Sequence, residues 1–289
     1  MLLETEIQFI RENLHRDPVS VALEASKYPS LDVPKLVGQI KARQKLKDKM
    51  PHWVANENVF FPPTLALEQS SSEDTAHFKA CIVSGKVLDL TGGMGLDSFA
   101  FAQAGCEVTY VERQSELASI TAYNHQQLQA GQISHFSEDS LDWLKLSKET
   151  FDFLYVDPAR RDKAGNKVVL LQDCEPNAIE LIPYITEKTS LLVKTSPLLD
   201  IDRAIKELEG VEKVYVICIK NEVKELLLLK TNHSSEDPEI SIIELNQENP
   251  LLFKAKKSSE TQSDIKFSDC KNYLYEPHAG ILKGGFFKT

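Results

Sequence analysis

From Lys86 onward the chain alternates short apolar runs with helical stretches, and this alternation restricts the fold to a parallel α/β sheet. Runs near 86–90, 107–111, 133–136, 153–157, 190–195, 213–218 and 224–229 predict seven strands. Helices are predicted near 95–104, 115–129, 140–146, 175–187 and 201–208. The last two strands are joined only by Lys220-Asn221-Glu222, too short for a helical crossover, so they should pair antiparallel. Beyond Leu229 the pattern weakens. Polar stretches at 232–239 and 257–264 flank an apolar run, Ile240 to Leu245, with a further candidate strand at Leu251 to Ala255.

The segment before this sheet has a different period. Phe9, Ile10 and Leu14, then Leu36, Val37 and Ile40, recur at helical spacing, with Pro18 marking a helix start. Pro51-His52-Trp53 to Phe60-Phe61-Pro62-Pro63 is too rich in proline and aromatics for a strand interior and reads as a loop. Ser70-Ser71-Ser72-Glu73 reads as a capping box, Ser70 opening a helix that runs to about Cys81. The expected division is a helical cap at 1–63, a nucleotide-binding domain at 64–230 and a small α+β extension at 231–289.

With 42% hydrophobic and 26% charged residues, disordered and collagen-like classes are excluded. No apolar stretch approaches the roughly 20 residues of a membrane span, and Met1 to Phe9 holds two glutamates and no basic residue, unlike a secretory signal. Five cysteines (Cys81, Cys106, Cys174, Cys218, Cys270) form no C-x-x-C pair, and the histidines form no H-x-x-x-H pair. A cytoplasmic location, no membrane partner and no metal are expected. A net charge of −10 counts against nucleic acid, but Lys35, Lys41, Arg43, Lys45, Lys47 and Lys49 face only Asp48 in their stretch. Such a segment can follow a phosphate backbone or be a solvated helix face.

Val87-Leu88-Asp89-Leu90-Thr91-Gly92-Gly93-Met94-Gly95-Leu96-Asp97-Ser98 runs from a strand through a glycine-rich turn into a helix. Glycines there let a backbone approach a ligand and take positive φ. Asp89 precedes the glycines, where a carboxylate suits a positive ammonium, such as the methionine end of S-adenosylmethionine, and not a pyrophosphate. Glu112 ends the next strand, seventeen residues after Gly95, where an acid can hold a ribose diol. Asp139, after the third strand, could receive an adenine amino group, with Ser140 capping a helix. Each acid also has a plainer reading, as a turn cap, a solvated strand end or an N-cap.

Val156-Asp157-Pro158-Ala159-Arg160-Arg161 closes the fourth strand. An acid followed by proline makes a rigid turn that aims a carboxylate at an open site, where it can orient a nucleophilic amino group. Arg160 and Arg161 suit phosphate or a stacked base, and Trp53, Phe60 and Phe61 suit either a lid or packing. Cys174 has no neighbouring base to make it a nucleophile.

Together, Asp89 to Gly95, Glu112 and Asp157-Pro158 resemble the ordered motifs of class I S-adenosylmethionine-dependent methyltransferases over roughly residues 84 to 230. Phe60-Phe61-Pro62, Leu67 to Ser71, Asp89 to Ser98, Asp157 to Arg161 and Tyr275-Glu276-Pro277-His278-Ala279 resemble the bacterial methyltransferases that carry a C-terminal THUMP-like domain. Trimethylguanosine synthase and other RNA guanine methyltransferases are similar more distantly. The resemblance implies a seven-stranded Rossmann-like sheet with an antiparallel last strand. It implies cofactor contacts at Asp89, Thr91, Gly92, Gly93, Gly95, Glu112 and Asp139, catalysis at Asp157 and Pro158, and substrate contacts at Arg160, Arg161, Phe60 and Phe61. It also implies that relatives continue past Thr289 into the THUMP-like domain. The pattern departs from amino-group methyltransferases where Ala159 and Arg160 stand in place of proline and an aromatic ring.

The resulting expectation is a methyltransferase acting on an RNA base, with amino-group methylation favoured. An NAD-dependent oxidoreductase or epimerase would share Gly93, Gly95 and Glu112, but it gains nothing from Asp89 and lacks a Tyr-x-x-x-Lys pair. A non-catalytic RNA-binding protein on the same fold is the third reading.

Overall fold

Aspartates open two of the three N-terminal helices, the second and the third. Asp17 Oδ2 accepts the Ser20 amide at 2.9 Å and Asp32 Oδ1 accepts the Lys35 amide at 3.2 Å, each with a proline in the first turn. In the computed structural model, which describes residues 2–62, 67–68, 70–159, 170–233, 235–265, 269, 272–273 and 275–288, these helices are α1 (Glu4–Asn13), α2 (Pro18–Leu23) and α3 (Val33–Leu46). Short α4 (Pro51–Ala55) and α5 (Glu73–Ala80) follow. The cap of α5 is Ser72, whose hydroxyl takes the Thr75 amide, and not Ser70 as the spacing predicts. Glu73 turns instead to the His52 and Trp53 amides at 3.3 and 3.1 Å, tying α5 to α4.

The chain forms two compact units, Met1–Ser147 and Lys148–Thr289. In the first, β1 (Lys86–Asp89), α6 (Leu96–Gln103), β2 (Glu107–Val111), α7 (Ser115–Gln127), β3 (Ile133–Phe136) and α8 (Ser140–Leu146) follow the helices. Its strands are parallel in the order β3-β2-β1, with Asp89 beside Tyr110. Leu46, Met50, Trp53, Phe61, Leu96 and Phe99 share one core, so the N-terminal helices pack directly on α6.

The Phe60-Phe61 segment is clasped from both sides by amide side chains. Gln39 exchanges two hydrogen bonds with the Phe61 backbone (2.8 and 2.9 Å), and Asn124 does the same for Phe60 (both 2.8 Å). Phe61 is 2% exposed, so the expected substrate contact there is corrected to packing, and of the two roles open to Trp53 its full burial is that of packing. Phe60 keeps a half-exposed ring with the Lys35 ammonium 5.7 Å over it.

The basic stretch is also largely spent inside this unit. Arg43 is buried and donates to the carbonyls of Val54, Asn56, Glu57 and Val59 at 2.7 to 3.2 Å, with its guanidinium over the Phe61 ring. Burial lowers its pKa to about 10, which still leaves it charged at neutral pH. Lys35 pairs with Glu6 and Lys45 with Glu68, while the Lys49 ammonium donates to the Leu67 carbonyl. Arg43 is therefore no phosphate contact, and Lys41 and Lys47 are the exposed remainder of the stretch. Arg43→Met should lower stability by about 3 kcal/mol, because it strands buried carbonyls that water cannot reach. Urea denaturation checks this; a loss below about 1 kcal/mol would show that those carbonyls find other partners.

The second unit contains β4 (Phe153–Val156), β5 (Ser190–Thr195), α9 (Ile201–Leu208), β6 (Lys213–Ile219), β7 (Glu222–Lys230), β8 (Glu239–Leu245), β9 (Leu251–Lys256), α10 (Ser259–Gln262) and α11 (Ala279–Gly284). Its strand order is β4-β5-β7-β6-β8-β9: β5 lies parallel to β4, β7 antiparallel to both β5 and β6, β8 parallel to β6, and β9 antiparallel to β8. The expected β6–β7 hairpin turns on Lys220 and Asn221, both at positive φ (53° and 60°), as a tight twisted turn demands. Among the described residues nine strands thus replace the expected seven, and the antiparallel β7 is not the last. Ile240, Ile242 and Ile243 earn a place beside β6 because that hydrophobic edge would otherwise stay uncovered. The expected helix at 175–187 is only a 3₁₀ segment, Ala178–Tyr184, since Pro183 supplies no amide for an α-turn. Arg160 and Arg161, with Pro63, Gln69 and Cys270, lie outside the described residues.

Among the described residues, no helix is long and apolar enough to cross a membrane.

Candidate cofactor loop and substrate-side acid

In the first unit β1 ends on Asp89, which is buried and organises the turn that follows. Its Oδ1 accepts the Thr91 amide at 3.0 Å and its Oδ2 the Ser98 hydroxyl at 2.6 Å, so one carboxylate joins the strand end to the first turn of α6. Gly93 and Gly95 both take positive φ (51° and 77°). A Cβ on Gly93 would meet nothing nearer than the Thr91 carbonyl at 3.6 Å, so this face of the loop is open, whereas the rear faces are filled. A Cβ on Gly92 would lie 2.2 Å from the Tyr110 ring, and one on Gly95 would lie 2.5 Å from His125 Nε2.

The loop carbonyls are held from behind by side chains that sequence spacing did not single out. Tyr110 Oη and Thr121 Oγ1 donate to the Gly93 carbonyl at 2.7 and 2.9 Å, and His125 Nε2 lies 2.9 Å from the Gly95 carbonyl. A carbonyl only accepts, so His125 carries its proton on Nε2 and its Nδ1 receives the His135 Nε2–H at 2.8 Å. Burial pushes His125 down to about 3, and His135 is lowered for the same reason. The available signal was helical: Thr121 and His125 are four residues apart and so share one face of α7.

This neutral pair sets a pH dependence. Unfolded, His125 titrates near its ordinary 6.5; folded, it stays neutral, so the unfolded state binds more protons between these values and stability falls as pH drops through them. From pH 6.5 to 5 the expected loss from His125 is about 2 kcal/mol, and His125→Gln should flatten that slope. Thermal or urea melts at the two pH values decide it; an equal slope in the variant would remove His125 as the cause.

Glu112 directly follows β2 and is buried. Its Oε2 accepts the Gly93 amide at 3.0 Å and its Oε1 the Gln114 amide at 2.9 Å, which brings the second acid onto the glycine turn. Asp139 is exposed, and it is Asp139 and not Ser140 that caps α8, accepting the Leu141 and Asp142 amides at 3.0 and 3.1 Å. A turn with an open glycine face, acids at both flanking strand ends and rigid backing fits a small nucleotide-like cofactor with its adenosine and ammonium groups.

In the second unit, Val156 lies in register with Val193, so Asp157 and Lys194 leave the ends of β4 and β5 side by side. The buried Lys194 ammonium forms an ion pair with Asp157 Oδ2. Lys194 carries no clear sequence signal because it follows the apolar run Leu191–Val193 inside β5. Pro158 and Ala159 continue the turn, and Ala159 exchanges backbone hydrogen bonds with Glu175 at 2.8 and 3.2 Å.

Cys218, Glu244 and His278 also converge in this unit, with donor atoms within 4.8 Å of one another. Their hydrogen bonds, however, form a latch. His278 Nδ1 accepts the Gly280 amide, which places the proton on Nε2 toward Glu244 at 2.9 Å, and Glu244 also takes the Lys220 and Asn221 amides.

A strand opening onto a backed glycine turn, with acids at successive parallel strand ends, defines a Rossmann-like cofactor-binding protein. Residues 72–169 match the family described as "Putative SAM-dependent methyltransferase". The whole chain superposes on 75% of the crystal structure of a "putative methyltransferase" from Porphyromonas gingivalis W83, at 30% identity and a TM-score of 0.84. Among curated proteins, 93 residues are 31% identical to an "Uncharacterized RNA methyltransferase" of Mycoplasma mobile, covering 32% of this chain and 26% of that protein. Another 31% match over 78 residues, to ribosomal RNA small subunit methyltransferase J of Coxiella burnetii, covers 25% and 31%. The chain thus aligns with about a third or less of the length of these curated relatives. It belongs to the S-adenosylmethionine-dependent methyltransferases, whose cofactor is S-adenosylmethionine. The oxidoreductase reading finds no support in these relatives, each of which is named a methyltransferase.

Proposed function

We propose that this protein transfers a methyl group from S-adenosylmethionine to an amino group of an RNA base. The observation that carries the reading is the glycine turn braced from behind and open in front, with Asp89 and Glu112 joined to it. The names of the Mycoplasma and Coxiella relatives support RNA as the substrate class. The finer kinship with methyltransferases that carry a THUMP-like domain belongs to the same proposal.

Asp89, Thr91, Gly92, Gly93 and Gly95 would hold the methionine portion, Glu112 the ribose diol and Asp139 the adenine amino group. When bound, S-adenosylmethionine supplies an electrophilic methyl on a sulfonium. Asp157, braced by Lys194 and by the rigid Pro158 turn, orients the target amino group through its N–H and takes the proton that nitrogen loses as it gains the methyl.

The test is tritium transfer from labelled S-adenosylmethionine into RNA from cells lacking the gene, with S-adenosylhomocysteine binding measured on the same preparation. Label released by RNase and lost in Asp157→Ala is the expected result. Cofactor binding without label in RNA would overturn the RNA substrate, and no binding would overturn the cofactor assignment. Charge reversal at Lys41 and Lys47 should weaken RNA binding several-fold and flatten its salt dependence; unchanged affinity and slope would discard that face as a contact.

A further inference from the structure

We infer that Leu198, on the loop between β5 and α9, is a substrate-contacting residue that packs against the target base; this rests on the RNA methyltransferase reading above. A single exposed leucine is ordinary. Leu198 differs in how firmly it is held while 82% exposed. The Ser196 hydroxyl takes its amide at 3.1 Å, and the Ser196 carbonyl takes the amide of buried Leu199 at 3.0 Å. The Lys283 ammonium donates to the Leu199 carbonyl at 2.7 Å, and Asp200 then caps α9 through the Arg203 amide at 2.8 Å.

Lys283 makes this a long-range brace. It stands on α11, and the helix start is locked by His278 on Glu244 and by the Ala279 amide on Asn221 Oδ1 at 2.7 Å. Gly280 and Gly284 let the helix lie against Ile242 and Cys218, where a Cβ would come within 2.5 to 3.0 Å. The Tyr275 to Ala279 motif thus leads into a strut for the loop that displays Leu198.

The location gives the leucine its chemistry. Three residues upstream Thr195 ends β5, and one residue before it Lys194 pairs with Asp157. A partly exposed carboxylate at Asp157 and a rigid apolar residue beyond the carboxyl end of β5 suit a flat heterocycle with polar edges. An apolar residue here also supplies a surface that Ala159 does not.

The experiment is steady-state methyl transfer to RNA by the full chain carrying Leu198→Asp, Leu198→Phe or Lys283→Met. Leu198→Asp should raise KM for RNA about tenfold with kcat within threefold, leaving S-adenosylhomocysteine affinity and Tm unchanged, and Leu198→Phe should restore wild-type KM. Lys283→Met, which frees the loop without altering the leucine, should raise KM about threefold. An unchanged KM in Leu198→Asp, or a loss tracking Tm, would overturn the inference while leaving the RNA reading intact. RNA neither bound nor methylated by the wild-type chain would overturn both.

Discussion

Gly95→Ala is expected to weaken S-adenosylhomocysteine binding by at least about 100-fold, close to 3 kcal/mol, measured by calorimetry. Two costs combine at this position. An alanine at φ +77° carries a left-handed strain of about 1–2 kcal/mol. Its Cβ would also sit 2.5 Å from both His125 Nε2 and Thr121 Cγ2. His125 cannot retreat, because it is buried against Trp53, Phe99 and Tyr110 and bonded to His135. The loop must therefore move toward its open face, where the cofactor is proposed to lie. Gly105→Ala is the control: its φ is +92° but its Cβ would meet nothing within 4 Å, so it should lower stability by about 1 kcal/mol and leave cofactor affinity unchanged. Equal affinity in Gly95→Ala and wild type would separate the glycine turn from cofactor binding.

Asp157→Asn should reduce methyl transfer about 10²- to 10⁴-fold with cofactor affinity within twofold of wild type. Asparagine keeps the shape of the turn but supplies no carboxylate to take a proton. It also removes the Asp157 negative charge that faces the buried Lys194 ammonium. Lys194→Met should lose activity in the same direction, and Lys194→Arg should recover part of it, since the cation matters more than the packing of the side chain. Single-turnover kinetics with circular dichroism as a folding check separates chemistry from unfolding. More than about a tenth of the activity left in Asp157→Asn would show that Asp157 neither orients the nucleophile nor takes its proton.

The two predictions rest on residues of very different visibility. Asp89, Gly93, Gly95, Glu112 and Asp157 lie at strand ends, where periodicity and glycine spacing mark them directly. Tyr110, Thr121 and His125 look like ordinary strand and helix residues, yet they form the rear wall of the glycine turn. Lys194 is hidden in an apolar run, and its ion pair spans thirty-seven residues of sequence. The basic stretch at 35–49 shows the reverse situation. Its composition suggests a phosphate-binding face, but Arg43 spends its donors on backbone carbonyls that no composition count reveals.

By itself the sequence determined where the strands of the α/β pattern fall, the strand–glycine–helix turn and the acids at the strand ends, because these depend on local periodicity and backbone freedom. Only the tertiary structure decided that Phe61 and Arg43 are internal, that β8 pairs with β6 and β9 with β8, and which side chains brace the glycine turn and the Leu198 loop. Those outcomes depend on which buried donor meets which acceptor across distant parts of the chain. Such pairings are selected by the cost of leaving polar groups unsatisfied in the core and have no local period to read.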